Sequence, residues 1–148
     1  MPIPGSNDDG TMIADLAQFD LLNEIAEAEQ QKPWASGIYS RTLFKKTDLR
    51  VVLISMEAAA HIKEHHADGT SSLYMLKGRI RYSTQGHVYD LRVGSLFTLG
   101  ASIKHSVEAM EESGFLLTIS WPGDRQLHDM PHRGYGTYSF ARADPKTS

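Results

Sequence analysis

The sequence predicts a small all-β protein, an antiparallel β-barrel or jelly roll with an N-terminal helix. Between Ser36 and Ser120, segments rich in β-branched and aromatic residues alternate with turn signals. No helix-length pattern interrupts this run, so we expect the strands to pair antiparallel. Closing such strands into a barrel or jelly roll removes the exposed strand edges that favour aggregation.

Length and composition set limits on domain number and partners. A chain of 148 residues with a hydrophobic fraction of 41% is expected to form one domain with a single core. Fifteen basic residues against eighteen acidic ones give a net charge of −3. This near-balance argues against nucleic acid or an anionic membrane surface as the main partner.

The absence of cysteine restricts the chemistry. Disulfides, thiolate nucleophiles and cysteine-ligated metal sites are excluded, so any metal would need His, carboxylate or water ligands. The first residues show no basic segment followed by an apolar run, and no apolar stretch approaches the ~20 residues of a membrane span. We therefore expect a cytoplasmic protein that does not associate with a membrane.

One amphipathic helix is predicted ahead of the strands. From Ile13 onward apolar side chains recur at helical spacing, at Leu16, Phe19, Leu22, Ile25 and Ala26. Acidic side chains occupy the expected solvent side, at Glu24, Glu27 and Glu29. Pro33 is predicted to end the helix, which should pack on one face of the barrel.

Eight strand segments follow from composition and turn signals. They are Ile38–Leu43, Arg50–Met56, Leu73–Lys77, Arg79–Thr84, His87–Arg92, Ser95–Leu99, Lys104–Ala109 and Phe115–Ser120. Gln85 and Gly86 favour a tight hairpin in which Gly86 adopts a positive φ. The predicted organisation is a flexible N-terminus over 1–11, the helix and barrel over 12–122, and a C-terminal arm over 123–148 with loose last residues.

Two histidines stand at regular distances from two glycines. His65 lies thirteen residues before Gly78, and His105 lies eleven residues after Gly94. Imidazoles on neighbouring strands of a small barrel can bind one divalent transition metal. Alternation along a strand would put His61 on the same face as His65, with Glu64 and His66 on the other face. His105 shares its parity with Val107, so both are expected to point inward.

The glycine and histidine spacing resembles that of the cupin superfamily, whose first motif contains His-x-His, Glu and Gly and whose second contains Gly, P-x-G, His and Asn. The first motif aligns with Ala59, His65, Ala67, Ser71 and Gly78. The second aligns with Gly94, Gly100, Ser102, His105 and Ala109. The resemblance implies a cupin-type double-stranded β-helix.

The resemblance also implies which metal ligands are kept. Metal-bearing cupins use three His and one Glu, and the positions kept here are His65 and His105. The second His position is Ala67 and the Glu position is Ser71. A third ligand could come from His61, or from Glu64 and His66 if the first motif shifts by one residue. Tyr74 and Tyr82 are candidates for the mouth of the pocket.

Three functions remain open on this basis. The first is a cupin that binds a small organic ligand in the barrel, with a partial or absent metal site. The second is a metal-dependent oxygenase or isomerase acting on a small organic acid or aromatic, with iron, manganese, nickel or zinc. The third is a non-catalytic sensor or assembly module. A homodimer is expected, and no phosphate-binding loop or nucleophile elbow is present.

Overall fold

The structure is a computed structural model and describes residues 15–121. This part of the chain contains one α-helix and nine β-strands. The helix α1 spans Leu21–Glu29, and the strands are β1 (Ile38–Lys45), β2 (Leu49–Met56), β3 (His61–His65), β4 (Thr70–Lys77), β5 (Arg79–Thr84), β6 (His87–Arg92), β7 (Leu96–Leu99), β8 (His105–Ala109) and β9 (Ser113–Ser120). The predicted C-terminal arm (123–148) and the predicted flexible N-terminus (1–11) lie outside the described residues.

The strands form two antiparallel sheets that enclose one core. Sheet A has the order β1-β2-β9-β4-β7, and sheet B has the order β3-β8-β5-β6. The main apolar cluster takes side chains from both sheets, so the sheets pack face to face as a jelly roll that is not closed into a continuous cylinder. The predicted all-β antiparallel fold is confirmed.

Alternation along the strands fills the core. In β2, Val52, Ile54 and Met56 belong to the main cluster between the sheets, while Leu53 joins a second cluster on the outer face of sheet A. Met75 and Phe115, neighbours across β4 and β9, are almost completely buried. Burying a side chain of this size contributes about 1.5–3 kcal/mol, so this inward-facing set is a major source of stability.

The helix covers the outer face of sheet A. The Asp20 side chain accepts a hydrogen bond from the backbone N–H of Asn23 at 3.1 Å, which caps the first turn. Ile25 packs against Leu43 and Leu53 of the sheet below. Within the described residues, no helix has the length and apolar character needed to cross a membrane.

The predicted helix is correct in type but wrong in its start and in part of its buried face. It begins at Leu21, and both Leu16 and Leu22 are exposed. Glu24, expected on the solvent side, is buried, and its carboxylate accepts a hydrogen bond from Arg41 Nη1 at 3.0 Å. Helical spacing alone could not reveal this partner, because Arg41 belongs to β1. Its charge allows Glu24 to occupy the helix–sheet interface.

The turns between strands agree with the turn signals in the sequence. Gln85 and Gly86, with φ of 51° and 79°, form the two-residue turn between β5 and β6. The eight predicted strand segments do not include β3, which contains the histidine-rich residues. Charged and polar side chains on an exposed edge strand leave little hydrophobic alternation for sequence reasoning to detect.

Two glycines with the same backbone conformation provide a test of the packing at the end of β4. Gly78 has a φ of +78°, and a Cβ there would lie 2.2 Å from the carbonyl oxygen of Glu112. Gly86 has a φ of +79°, with nothing within 4 Å of an added Cβ. Gly86→Ala should cost about 1 kcal/mol of unfolding free energy, because only the backbone conformation is penalised.

Gly78→Ala should cost several kcal/mol, since the backbone must also move away from the clash. Urea unfolding of both variants beside the wild type measures the difference. Equal losses of stability in the two variants would contradict the close approach of β4 to the turn between β8 and β9.

Candidate functional site

The two sequence-predicted histidines meet at one end of the sandwich. Register pairs His105 with His65 on one side and with Thr84 on the other, and Thr84 pairs with His87. Sheet A has a corresponding row at the same end of the sandwich. In this row each residue pairs with the next one across neighbouring strands, in the order Arg50, Ile119, Ser71 and Leu99. Short connections, 66–69 and 100–104, join the two rows. We call this region the histidine end, defined by these eight residues.

A β-bulge determines which histidine of β3 reaches the site. Ile62 pairs with Val107 and His65 pairs with His105, so β3 uses three residue steps where β8 uses two. His61 is therefore opposite Glu108 on the outer face and is exposed. The prediction that His61 and His65 share a face is wrong, because it assumed unbroken alternation.

Backbone hydrogen bonds hold both imidazoles in one tautomer. His65 Nδ1 lies 2.9 Å from the carbonyl oxygen of Lys63, and His105 Nδ1 lies 3.0 Å from that of Ile103. A carbonyl oxygen only accepts hydrogen bonds, so each Nδ1 must carry the proton. In the neutral ring Nε2 is then a bare acceptor. Both imidazoles thus offer a lone pair to a ligand donor or a metal ion.

His105 is the buried member of the pair. Its side chain is 8% exposed, and its ring centroid is 4.3 Å from that of His65 in an edge-on arrangement. Burial lowers the pKa of His105 below its ordinary value, and the nearby imidazoles of His65 and His66 lower it further. The ring is therefore a neutral hydrogen-bond acceptor at neutral pH.

A continuous chain of six rings extends from this pair across the sandwich. Tyr82 stacks on His105 with ring centroids 5.1 Å apart and planes inclined by 13°. The ring centroid of Phe97, on sheet A, lies 4.5 Å from that of Tyr82. The ring centroids of Tyr89 and Phe97 are 5.0 Å apart, and those of His87 and Tyr89 are 6.3 Å apart. We call these residues, with His65, the aromatic chain.

Three of these rings were not among the sequence-predicted site residues: His87, Tyr89 and Phe97. The two-residue turn at Gln85 and Gly86 fixes the register that places Tyr89 opposite Tyr82 and His87 opposite Thr84. The same turn was recognised in the sequence, so this part of the chain could have been found by counting outward from it. Phe97 belongs to the other sheet, and only the fold brings it to Tyr82.

The remaining predicted site residues lie at different places. Tyr74 is on the outer face of sheet A, since its neighbours Leu73 and Met75 point into the core, so the prediction that it lines the mouth is wrong. Glu64 and His66 are exposed, and His66 Nε2 lies 3.9 Å from Asp68 Oδ1. Of the two predicted mouth residues, only Tyr82 contacts the histidine pair.

The residues of the histidine end do not fit a metal centre with three His and one Glu. Ala67 has no donor side chain, and Ser71 supplies a hydroxyl where the resemblance expects a carboxylate. Within residues 15–121, no group of three or more His, Asp or Glu side chains is arranged to hold a metal ion. Two imidazoles alone bind metal weakly in water, because protein sites usually supply three or four donors.

The backbone supports the motif alignment where the side chains do not. The four positions aligned with motif glycines are Ala59, Gly78, Gly94 and Ser102, and their φ values are 71°, 78°, 90° and 66°. All four lie in the left-handed region that favours glycine. The turns of the motif are therefore kept, including two where another residue has replaced glycine.

The strained alanine at position 59 provides a stability test of this alignment. Ala59→Gly should raise the unfolding free energy by up to about 1 kcal/mol, because relief of the left-handed strain exceeds the added entropy of the unfolded chain. Ala60→Gly is the matched control and should be destabilising, since Ala60 has no such strain. Urea unfolding measures both changes. Destabilisation by Ala59→Gly would contradict the assigned turn.

Burial of His105 predicts a pH dependence of stability. Its folded-state pKa lies below the ordinary value of 6.5, so below that pH the unfolded chain binds a proton that the folded chain resists. The stabilisation is complete above pH 6.5 and is lost as the pH falls toward the folded-state pKa. His105→Gln should flatten this part of the stability curve, and His61→Gln should not. Urea unfolding at a series of pH values tests this, and an unchanged curve for His105→Gln would overturn it.

Comparison with known proteins gives no match to a protein-family model and none to a curated protein. Solved structures do match. A conserved protein of unknown function from Streptococcus pyogenes has 24% identity and a TM-score of 0.57, covering 61% of this chain and 79% of that one. KdgF from Halomonas sp. has 20% identity and a TM-score of 0.56, covering 64% and 87%.

An RmlC-like cupin from Shewanella frigidimarina has 19% identity and a TM-score of 0.56, covering 58% of this chain and 78% of that one. Similarity at these identities establishes architecture and leaves activity to be argued from the site. The match agrees with the antiparallel two-sheet topology. The chain has the cupin fold.

Proposed function

We propose that this protein binds a small organic molecule at the histidine end of its cupin sandwich, without a metal ion. The observation that carries the proposal is the His65–His105 pair. Each ring is fixed through Nδ1 to the backbone carbonyl two residues before it, His65 contacts His105, and His105 stacks on Tyr82, the first ring of an aromatic wall. Such a mixture of apolar surface and few oriented polar groups is typical of small-molecule sites.

The polar part of the site favours a ligand that donates hydrogen bonds. In their neutral forms the two Nε2 atoms accept and do not donate, and burial keeps His105 neutral at neutral pH. A hydroxyl or amide N–H of the ligand would complete the hydrogen bonding of these rings. Such a hydrogen bond contributes about 1 kcal/mol to the binding free energy, so its main effect is to orient the ligand.

The apolar part of the site favours a planar or ring-shaped ligand body. Tyr82 and His105 are nearly parallel, and Phe97 and Tyr89 continue the surface toward solvent. Tyr89 is 40% exposed and His87 is also exposed, so the outer rings remain accessible. Offset stacking on such rings adds about 0.5–1.5 kcal/mol beyond the area buried.

Ligand binding fits these residues better than metal-dependent catalysis. A metal-dependent oxygenase or isomerase needs enough protein donors to keep its ion while leaving positions open for substrate. Of the candidate third donors, His61 faces away, and Glu64 and His66 are exposed on the short edge strand and its following loop. The imidazole pair is therefore assigned to the ligand.

A titration with benzyl alcohol, a ring carrying one hydroxyl donor, tests the proposal. In protein-observed NMR we expect weak, saturable binding that shifts the amide signals of Tyr82, Phe97 and His105. His105→Phe keeps the ring and removes the acceptor, so it should weaken binding about fivefold, as expected for one hydrogen bond. His61→Phe is the matched control and should leave the affinity unchanged, since His61 faces the other side of sheet B.

Elemental analysis of tag-free protein completes the test. After incubation with iron, manganese, nickel or zinc and dialysis, the protein should retain far less than one ion per chain. Near-stoichiometric metal that is lost in the His65→Ala, His105→Ala double variant would overturn the metal-free proposal. Absence of saturable binding of benzyl alcohol at these residues would overturn the ligand-binding proposal itself.

A further inference from the structure

Sheet A places one cation on the inward face of the histidine end. Arg50 opens β2 and has the same parity as Val52, Ile54 and Met56, which belong to the core between the sheets. The pairing of β2 with β9 is regular along its whole length, so no bulge changes this orientation. Arg50 is therefore directed toward the space that sheet B borders with His65 and His105.

Within residues 15–121, this arginine lacks the partner that such a position demands. Its Nε is buried and has no hydrogen-bond partner among the described residues. A buried polar group without a partner costs about 1–3 kcal/mol, and more when it is charged. Native proteins satisfy nearly all such groups, so residues 15–121 leave the charge and hydrogen-bonding capacity of Arg50 unmatched beside the candidate ligand site.

Other described arginines show how the same side chain is satisfied elsewhere. Arg41 pairs with Glu24, and Arg79 forms a two-point contact with Asp90 at 2.8 and 3.1 Å. For Arg50 the described residues provide only the face of an aromatic ring, with its guanidinium carbon 5.3 Å from the centroid of Trp121. A ring below the guanidinium plane fixes its orientation and does not use its N–H donors.

The charges around Arg50 favour an anion. Lys45, its partner on β1, is exposed and adds positive charge at the same end. Ser71 stands two strands away, about 10 Å, where the family motif would place a glutamate. The loss of that carboxylate removes a group that would repel an anionic ligand.

We infer that Arg50 binds the carboxylate of a small organic acid whose ring or apolar body lies against the aromatic chain. This inference rests on the proposed function and names its ligand class. Facing sheets are about 10 Å apart, so one small molecule can bridge Arg50 on sheet A and the imidazoles on sheet B. The guanidinium fork matches a carboxylate with two parallel hydrogen bonds, while the neutral Nε2 of His105 accepts from a donor elsewhere on the ligand.

Benzoate and benzyl alcohol form the probe pair: they share a ring, and benzoate has a carboxylate where the alcohol has a hydroxyl donor. NMR titrations use the full-length chain as wild type, Arg50→Gln, Arg50→Lys and Arg79→Gln, with thermal unfolding to confirm that each variant is folded. We expect wild type to bind benzoate at least about tenfold more tightly than benzyl alcohol, as charge-assisted hydrogen bonds of about 1.5–3 kcal/mol imply. Arg50→Gln should remove this preference without changing benzyl alcohol affinity.

The other variants separate charge from geometry. Arg50→Lys should recover part of the preference, since it keeps the charge and loses the fork, and Arg79→Gln should bind both probes like wild type. Benzoate affinity should fall with added salt in wild type. If Arg50→Gln is unstable, Arg50→Lys and the salt dependence decide.

Two results would overturn the inference in distinguishable ways. Benzyl alcohol binding with no preference for benzoate, or a preference that survives Arg50→Gln, would reject the role of Arg50 and leave the proposed function in place. Failure of benzyl alcohol to bind at the histidine end would reject the proposed function, and with it the ligand class.

Discussion

The register of β8 between β3 and β5 determines the chemistry at the histidine end. His105 is opposite His65 on one side and Thr84 on the other, so a slip by one residue would turn the imidazole to the outer face of sheet B. Val107 and Ala109 follow on the same face and are buried in the core. Burial of these two apolar side chains thus fixes the inward direction of His105, a polar residue of the same strand.

The bulge in β3 makes the pairing of the two histidines possible. Ile62 and His65 both take inward positions although they are three residues apart, which ordinary alternation forbids. A break of this kind leaves no periodic signal in the sequence. Unbroken alternation therefore predicts that His61 lies on the same face as His65. The fold was predictable because many strands contribute to it, while the site depended on one local irregularity.

The remaining differences between prediction and structure have the same origin. The Gln85–Gly86 turn and the strand ends around it were predictable, since short-range backbone preferences set them. Glu24 and Tyr74 were misplaced because their surroundings come from distant parts of the chain, β1 for Glu24 and the orientation of sheet A for Tyr74. The inward orientation of Arg50 follows from its parity with Val52 once β2 is recognised.

The cupin fold here combines kept turns with altered side chains. The left-handed backbone persists at Ala59 and Ser102, where an L-residue is strained, so the turns are maintained by the surrounding strands. Ala67 and Ser71, which align with ligand positions of the cupin motif, carry neither imidazole nor carboxylate, and the histidine end contains imidazoles and an arginine but no carboxylate on the two rows that define it. A metal cation would gain little from such a set, because no negative group offsets its charge. For the anionic ligand proposed above, the set supplies a guanidinium whose Nε has no hydrogen-bond partner within residues 15–121. The balance of charge thus favours an organic acid over a metal ion as the occupant of this end of the sandwich.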